Sequence, residues 1–214
     1  MRELPDDELI AYLADPPQMR PYPFDEPLFQ RTVFVPYFDG LTQHAEFAKR
    51  AIDLDGDIVL EFWTPTQGGL KTIIYQGAGE SSFNDCDCWL VRNGSNIEFR
   101  VGGVGAPLGA LPSFEIFKLT LIGTSLVVKD SNDEVVRSMT FNRGTYRSTT
   151  PVTLIGARLS GSFKVNFYEG KMPGIKINGT KWQMNDRNNQ IQKSIPTGNP
   201  LTIINHTPAM WRPL

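Results

Sequence analysis

The chain is poor in the residues from which reactive centres are built. It holds only two cysteines, Cys86 and Cys88, and two histidines, His44 and His206. The cysteines stand one residue apart, too constrained for a relaxed disulfide with each other, so they read as free thiols and no disulfide framework exists. A zinc centre draws on clustered cysteine and histidine, and no second cysteine pair is available. Neither histidine accompanies a G-x-S-x-G elbow, which removes one familiar way of presenting a nucleophile. The sequence has no run of about eighteen apolar residues and no charged-then-apolar leader, so the expectation is folding in a cytoplasm without membrane insertion. An excess of charge is also missing, since the net charge is −2. Arg143, Arg147, Arg158, Arg187 and Lys193 are dispersed among polar segments, which argues against a nucleic-acid partner.

What is present is turn chemistry and alternation. Gly 19, Pro 16 and 11% aromatics suit many short strands joined by turns. In IDLDGDIVLEFWTPT, Ile58, Leu60 and Phe62 alternate with Val59, Glu61 and Trp63, the period of a strand with one buried face. KTIIYQG offers a second strand, and DCWLVRNGSNIEFRV reads as a hairpin turning at Asn93-Gly94. A glycine-rich loop from Gly102 to Pro112 leads to a meander whose inner residues are Phe117, Leu119, Leu121, Leu126 and Val128. Between Val152 and Trp182, Phe163, Val165 and Phe167 and then Ile175 and Ile177 mark two strands interrupted by Gly170, Pro173 and Gly174. On the order of a dozen strands result, with no helix long enough for a crossover, which predicts an all-β, two-sheet antiparallel sandwich over residues 51–214.

Residues 1–50 differ. Prolines interrupt almost every regular element, leaving room for one short helix over Asp6–Ala14. Beyond it, PPQMRPYPFDEPLFQRTVFVP interleaves prolines with aromatics in an extended ribbon too apolar to be a solvated linker. Such an arm either wraps its own domain or docks Tyr22, Phe24, Phe29 and Phe34 on a neighbouring subunit.

The order of segments, and above all Phe167-x-x-Gly170-x-x-x-x-Ile175-x-Ile177-x-Gly179, resembles a concanavalin A-like, laminin G-like jelly-roll module. GIKINGTKWQMND and the later GNPLTIINHTPAMW are similar to the carboxy-terminal ends of domains in tailed-bacteriophage tail fibres and related virion appendages. The resemblance implies a non-enzymatic virion structural protein of tail-fibre or appendage type, assembled in the host cytoplasm. It would be a homo-oligomer docked to other virion proteins through its arm. The alternative is a carbohydrate-binding module for host-surface glycans.

Catalytic groups do not stand out. Glycosidases of this fold carry their paired carboxylates on one strand as Glu-x-Asp-x-x-Glu, and no such string occurs. Glu61, Glu98 and Glu169 are lone carboxylates expected on solvated faces. Asp53, Asp55 and Asp57 have the density a calcium ion favours, but Ile58 and Thr64 stand where an EF-hand loop needs glycine and glutamate, which leaves a turn as the simpler reading. No cofactor is expected. The aromatic residues remain: Trp63, Trp182, Trp211 and Tyr168 fill the core or stack on a sugar or a neighbouring subunit, and Trp182 and Tyr168 are the favoured pair for the second role.

Overall fold

The computed structural model describes residues 34–79, 82, 85–196 and 198–213. The alternation in the sequence becomes β1 (Phe34–Asp39), β2 (His44–Phe47), β3 (Ile58–Trp63), β4 (Leu70–Gly77), β5 (Cys88–Asn93), β6 (Asn96–Val101) and β7 (Val104–Ala110). A meander of β8 (Ile116–Ile122), β9 (Ser125–Lys129) and β10 (Val135–Thr140) comes next. Then follow β11 (Val152–Ile155), β12 (Arg158–Ser160), β13 (Phe163–Val165), β14 (Glu169–Lys171), β15 (Gly174–Ile177) and β16 (Thr180–Gln183). Last are β17 (Ile191–Gln192), β18 (Ser194–Ile195), β19 (Leu201–Ile204) and β20 (Trp211–Pro213). One 3-10 turn, Pro208–Met210, is the only helical element among the described residues.

The strands pair antiparallel in two large sheets, which pack as a jelly-roll sandwich. One has seven strands, ordered β10-β9-β8-β3-β15-β16-β18, and the other eight, ordered β17-β19-β2-β11-β4-β5-β6-β7. Neighbours distant in sequence, such as β3 between β8 and β15, tie the chain's halves together. The inner faces meet in one core: Ile58, Leu60, Phe62, Phe117, Leu119 and Ile177 from the first sheet pack with Ile74, Leu90, Phe99 and Ile203 from the second. This leaves the alternate residues of the seven-stranded sheet facing outward. A smaller cluster of Tyr75, Cys86, Trp89, Val91 and Leu154 lies apart from that core, with Leu159 packed against it and the Arg158 guanidinium 4.9 Å from the Trp89 ring centre.

Several expectations change. The sandwich begins earlier than residue 51: Phe34 pairs with Pro213, and β2 lies between β11 and β19. Phe34 and Phe47, which a proline-rich reading assigns to an arm, are therefore residues of β1 and β2. The segment with Tyr22, Phe24, Phe29 and the Asp6–Ala14 helix lies outside the described residues. The Asn93-Gly94 turn is displaced by one residue. Asn93 pairs with Asn96, and Gly94 alone of the two loop residues has positive φ, as in a type II′ turn. The Asn-Gly pair that occupies both loop positions is Asn178-Gly179, with φ of 46° and 86°, between β15 and β16. The glycine-rich stretch is strand β7, entered by a tight Gly102-Gly103 turn. Finally, β13 and β15 are not neighbours: β13 pairs with β12, and Phe163 points outward, 75% exposed.

Candidate functional site

Three of the four tryptophans spend their polar edge inside the protein. Trp182, on the inner face of β16, is 3% exposed, donates its indole N–H to the Asn199 carbonyl at 2.6 Å and meets Phe47 edge-on at 4.8 Å. Trp211 donates to His206 Nε2 at 3.0 Å, and Trp89 to Thr72 Oγ1 at 3.1 Å. Tyr168 is fully buried against Phe38, its hydroxyl donating to the Lys171 carbonyl at 2.8 Å. Burial pushes that hydroxyl's pKa far above its ordinary value. The expectation that Trp182 and Tyr168 are the stacking pair is thus corrected. Both rings are sealed from any ligand, Trp182 between exposed Lys181 and Gln183 and Tyr168 between half-buried Phe167 and Glu169.

Trp63 is different. It ends β3 on the outward face, is half-buried, and its indole N–H has no hydrogen-bond partner among the described residues. Beside it lies a cleft of about 220 Å³ lined by Glu61, Ile116, Gly174, Lys176, Lys181 and Gln183. A second cleft of about 200 Å³ shares Glu61 and Ile116 and continues to Lys118, Asp130 and Asp133.

The register explains the lining. Lys181 faces Lys176, Lys176 faces Glu61, Glu61 faces Lys118 and Lys118 faces Lys129, one residue from each of five adjacent strands. At the strand spacing of ~4.8 Å this charged row crosses roughly 19 Å of sheet. Lys176 Nζ lies 2.8 Å from Glu61 Oε1, and Lys129 Nζ lies 3.0 Å from Asp133 Oδ2. Trp63 stands two residues from Glu61 on the same strand and so on the same face, opposite Ile116. Sequence reasoning noted Glu61 and Trp63 but missed Lys118, Lys129, Lys176 and Lys181, whose shared signal was an outward position in an alternating strand.

The remaining candidates serve structure. Phe34 lies under the Arg187 guanidinium at 4.7 Å. In the Asp53, Asp55 and Asp57 loop, Asp53 accepts the Asp55 N–H, and Asp55 pairs with Arg147 at 3.1 Å. Arg143 takes the Leu54 and Gly56 carbonyls at 2.8 and 2.5 Å. A guanidinium therefore holds carbonyl oxygens that a calcium ion would draw on, and no group of three or more potential metal ligands occurs among the described residues. Glu98 and Glu169, expected as lone solvated carboxylates, are ion-paired with Arg100 and Lys71. Cys86 and Cys88 are buried free thiols, and burial raises the Cys88 pKa well above the ordinary thiol value.

No protein family's sequence profile matches the chain, and no curated protein matches it. Solved structures do. A candidate carbohydrate-binding protein from Bacteroides ovatus superposes with a TM-score of 0.60 at 10% identity, covering 86% of this chain. The present chain spans 60% of that protein's length. A heptameric SAP-like pentraxin from Limulus polyphemus gives 0.51 at 12% identity over 68% of this chain and 76% of its own. Tailspike protein 2 of an Escherichia coli bacteriophage gives 0.39 at 15% identity over 73% of this chain and 26% of its own. At these identities the first two likenesses establish the jelly-roll sandwich fold, and the third adds nothing to that.

Proposed function

We propose that the chain is a non-enzymatic carbohydrate-binding sandwich whose site is the Trp63 cleft. The observation that carries this reading is a half-open indole with an unspent N–H beside charged and amide side chains, all held on strands. A sugar ring presents an apolar face to stack on the indole and hydroxyls to hydrogen-bond with Glu61, Lys176 and Gln183, the combination such pockets recognise. The lining of the cleft beside Trp63 supports binding without hydrolysis. Glu61 is its one carboxylate and is already paired with Lys176, whereas glycoside hydrolysis uses two carboxyl groups across the scissile bond. The likeness to the Bacteroides ovatus candidate carbohydrate-binding protein points the same way. Glycan-array binding of the full chain tests it: wild type retains ligands that Trp63→Ala loses, with the melting temperature lowered by only about 2–4 °C. Equal binding by the two proteins places the site elsewhere.

A second part of the proposal sets the module on a bacteriophage particle, docked to other virion proteins by residues 1–32 and present there as a homo-oligomer. Its support is the likeness of the segments around Gly174–Trp182 and Gly198–Trp211 to tail-fibre domain ends. Because β1 pairs with β14 and β20 and β2 lies within the eight-stranded sheet, the deletion that tests it must stop before residue 33. The shortened protein is expected to stay folded and to be lost from particles; normal incorporation would remove the docking role.

A further inference from the structure

The charged row on the outer face is unevenly neutralised. At its β8 and β9 end, Lys118 and Lys129 sit among Asp130, Asp133 and Glu61, and Lys129 is paired with Asp133. At its β15 and β16 end, Lys176 and Lys181 face each other in register. Like charges directly opposite on a sheet are destabilising, and here only Glu61 offsets the pair, committed to Lys176 at 2.8 Å. Among the described residues, Lys181 has no acidic neighbour in the strand register around it. Its other cross-strand partner is Ile195, its same-face neighbours along β16 are Gly179 and Gln183, and the residues diagonal to it on β15 are Gly174 and Asn178. An exposed, unpaired ammonium therefore shares a cleft with the open indole of Trp63.

Resting on the glycan reading above, we propose that the cleft selects an acidic sugar: a pyranose stacked on Trp63, its anionic substituent seated on Lys181 and Lys176. A lysine ammonium acts as a point charge without a planar fork, so carboxylate, sulfate and phosphate substituents share the required chemistry. A long polyanion fits less well, because the same row runs into Asp130 and Asp133. This polarity separates an acidic saccharide from a nucleic-acid strand and orients it, with the acidic group towards β16.

The test uses the full chain against neutral oligosaccharides, uronate-bearing and sulfated oligosaccharides, and the methyl esters of the uronates. Uronate-bearing ligands are expected to bind about tenfold more tightly than their methyl esters, an advantage that added salt erodes. Lys181→Gln should remove that advantage with thermal melting unchanged, and the sulfated arm shows whether the seat is selective for carboxylate. Equal affinity for uronate and ester, a panel in which only neutral glycans bind, or an unaffected Lys181→Gln overturns the acidic-sugar assignment. The glycan reading survives in those cases if Trp63→Ala still abolishes binding. No glycan bound by wild type overturns both, and a single-stranded oligonucleotide binding more tightly than every saccharide overturns the assignment in favour of a general anion surface.

Discussion

Replacing Trp182 with alanine separates a sealed tryptophan from a half-open one. The indole is 3% exposed, packs edge-on against Phe47 and closes a hydrogen bond to the Asn199 carbonyl. Asn199 in turn exchanges hydrogen bonds with the Lys49 backbone at 3.1 and 3.0 Å, so the indole helps anchor the segment before β19 to the segment after β2. Truncating a buried tryptophan costs about 3–5 kcal/mol, and the orphaned carbonyl adds about 1 kcal/mol. For a domain of this size a loss of ~4–6 kcal/mol lowers the melting temperature by roughly 8–24 °C. Trp63→Ala, at a half-open position, should cost about 1 kcal/mol. Urea unfolding of both variants, followed by circular dichroism with m-values held equal, reads the difference directly. A Trp182→Ala protein within about 1 kcal/mol of wild type would refute the packing argument and return Trp182 to the list of surface candidates.

Acid should weaken the fold through identifiable carboxylates. A hydrogen bond from Lys71 holds the Glu169 carboxyl below its usual range against partial burial; at Asp39 and Glu46, burial acts upward but is outweighed by the N–H groups of Thr42, Leu41 and Gln43 and by Lys164 and His44 respectively. Folded values below the unfolded 3.8 and 4.5 mean stability present above that range and lost as pH falls through the lowered values. Glu169→Gln should therefore cost under about 1 kcal/mol at neutral pH and nothing at strongly acidic pH, and a cost unchanged by pH would contradict this. Arg92, fully buried and bonded to the Ser95, Leu111 and Pro112 carbonyls, should not tolerate Arg92→Lys, which cannot reach all three; a loss of about 2–3 kcal/mol in urea is expected, and wild-type stability would count against it. Gly102→Ala combines a φ of 59° with a Cβ driven into the Gly144 carbonyl, and should cost on the order of 3 kcal/mol; a melting curve superposable on wild type would show that this backbone contact yields freely.

The strands were legible wherever one face is buried. Ile58, Leu60 and Phe62, or Phe117, Leu119 and Leu121, declare their period without knowledge of the partner strand. What stayed hidden was whatever depends on pairing. Lys118, Lys129, Lys176 and Lys181 are scattered over more than sixty positions of sequence and become a row only through the register of five strands. Trp182 and Trp63 look equally amphipathic in the sequence, and the position of each relative to its inward-facing neighbours decides which is sealed. Proline-rich composition misled at Phe34–Phe47, because Pro36 is tolerated in β1, which pairs with β20 and β14 outside the two large sheets.

Gly174 shows how this surface could change over evolutionary time. Most positions around the cleft point away from the core, so lysine, glutamate, glutamine and even the indole could be exchanged in a lineage without disturbing a packed residue. Gly174 is the exception. A Cβ there would run into the Trp182 carbonyl oxygen of the neighbouring strand, so the side chain is forbidden by the fold rather than chosen for the ligand. The vacancy beside Trp63 is then inherited while its rim is free to drift, which gives descendants of this sequence a constant socket with interchangeable chemistry around it.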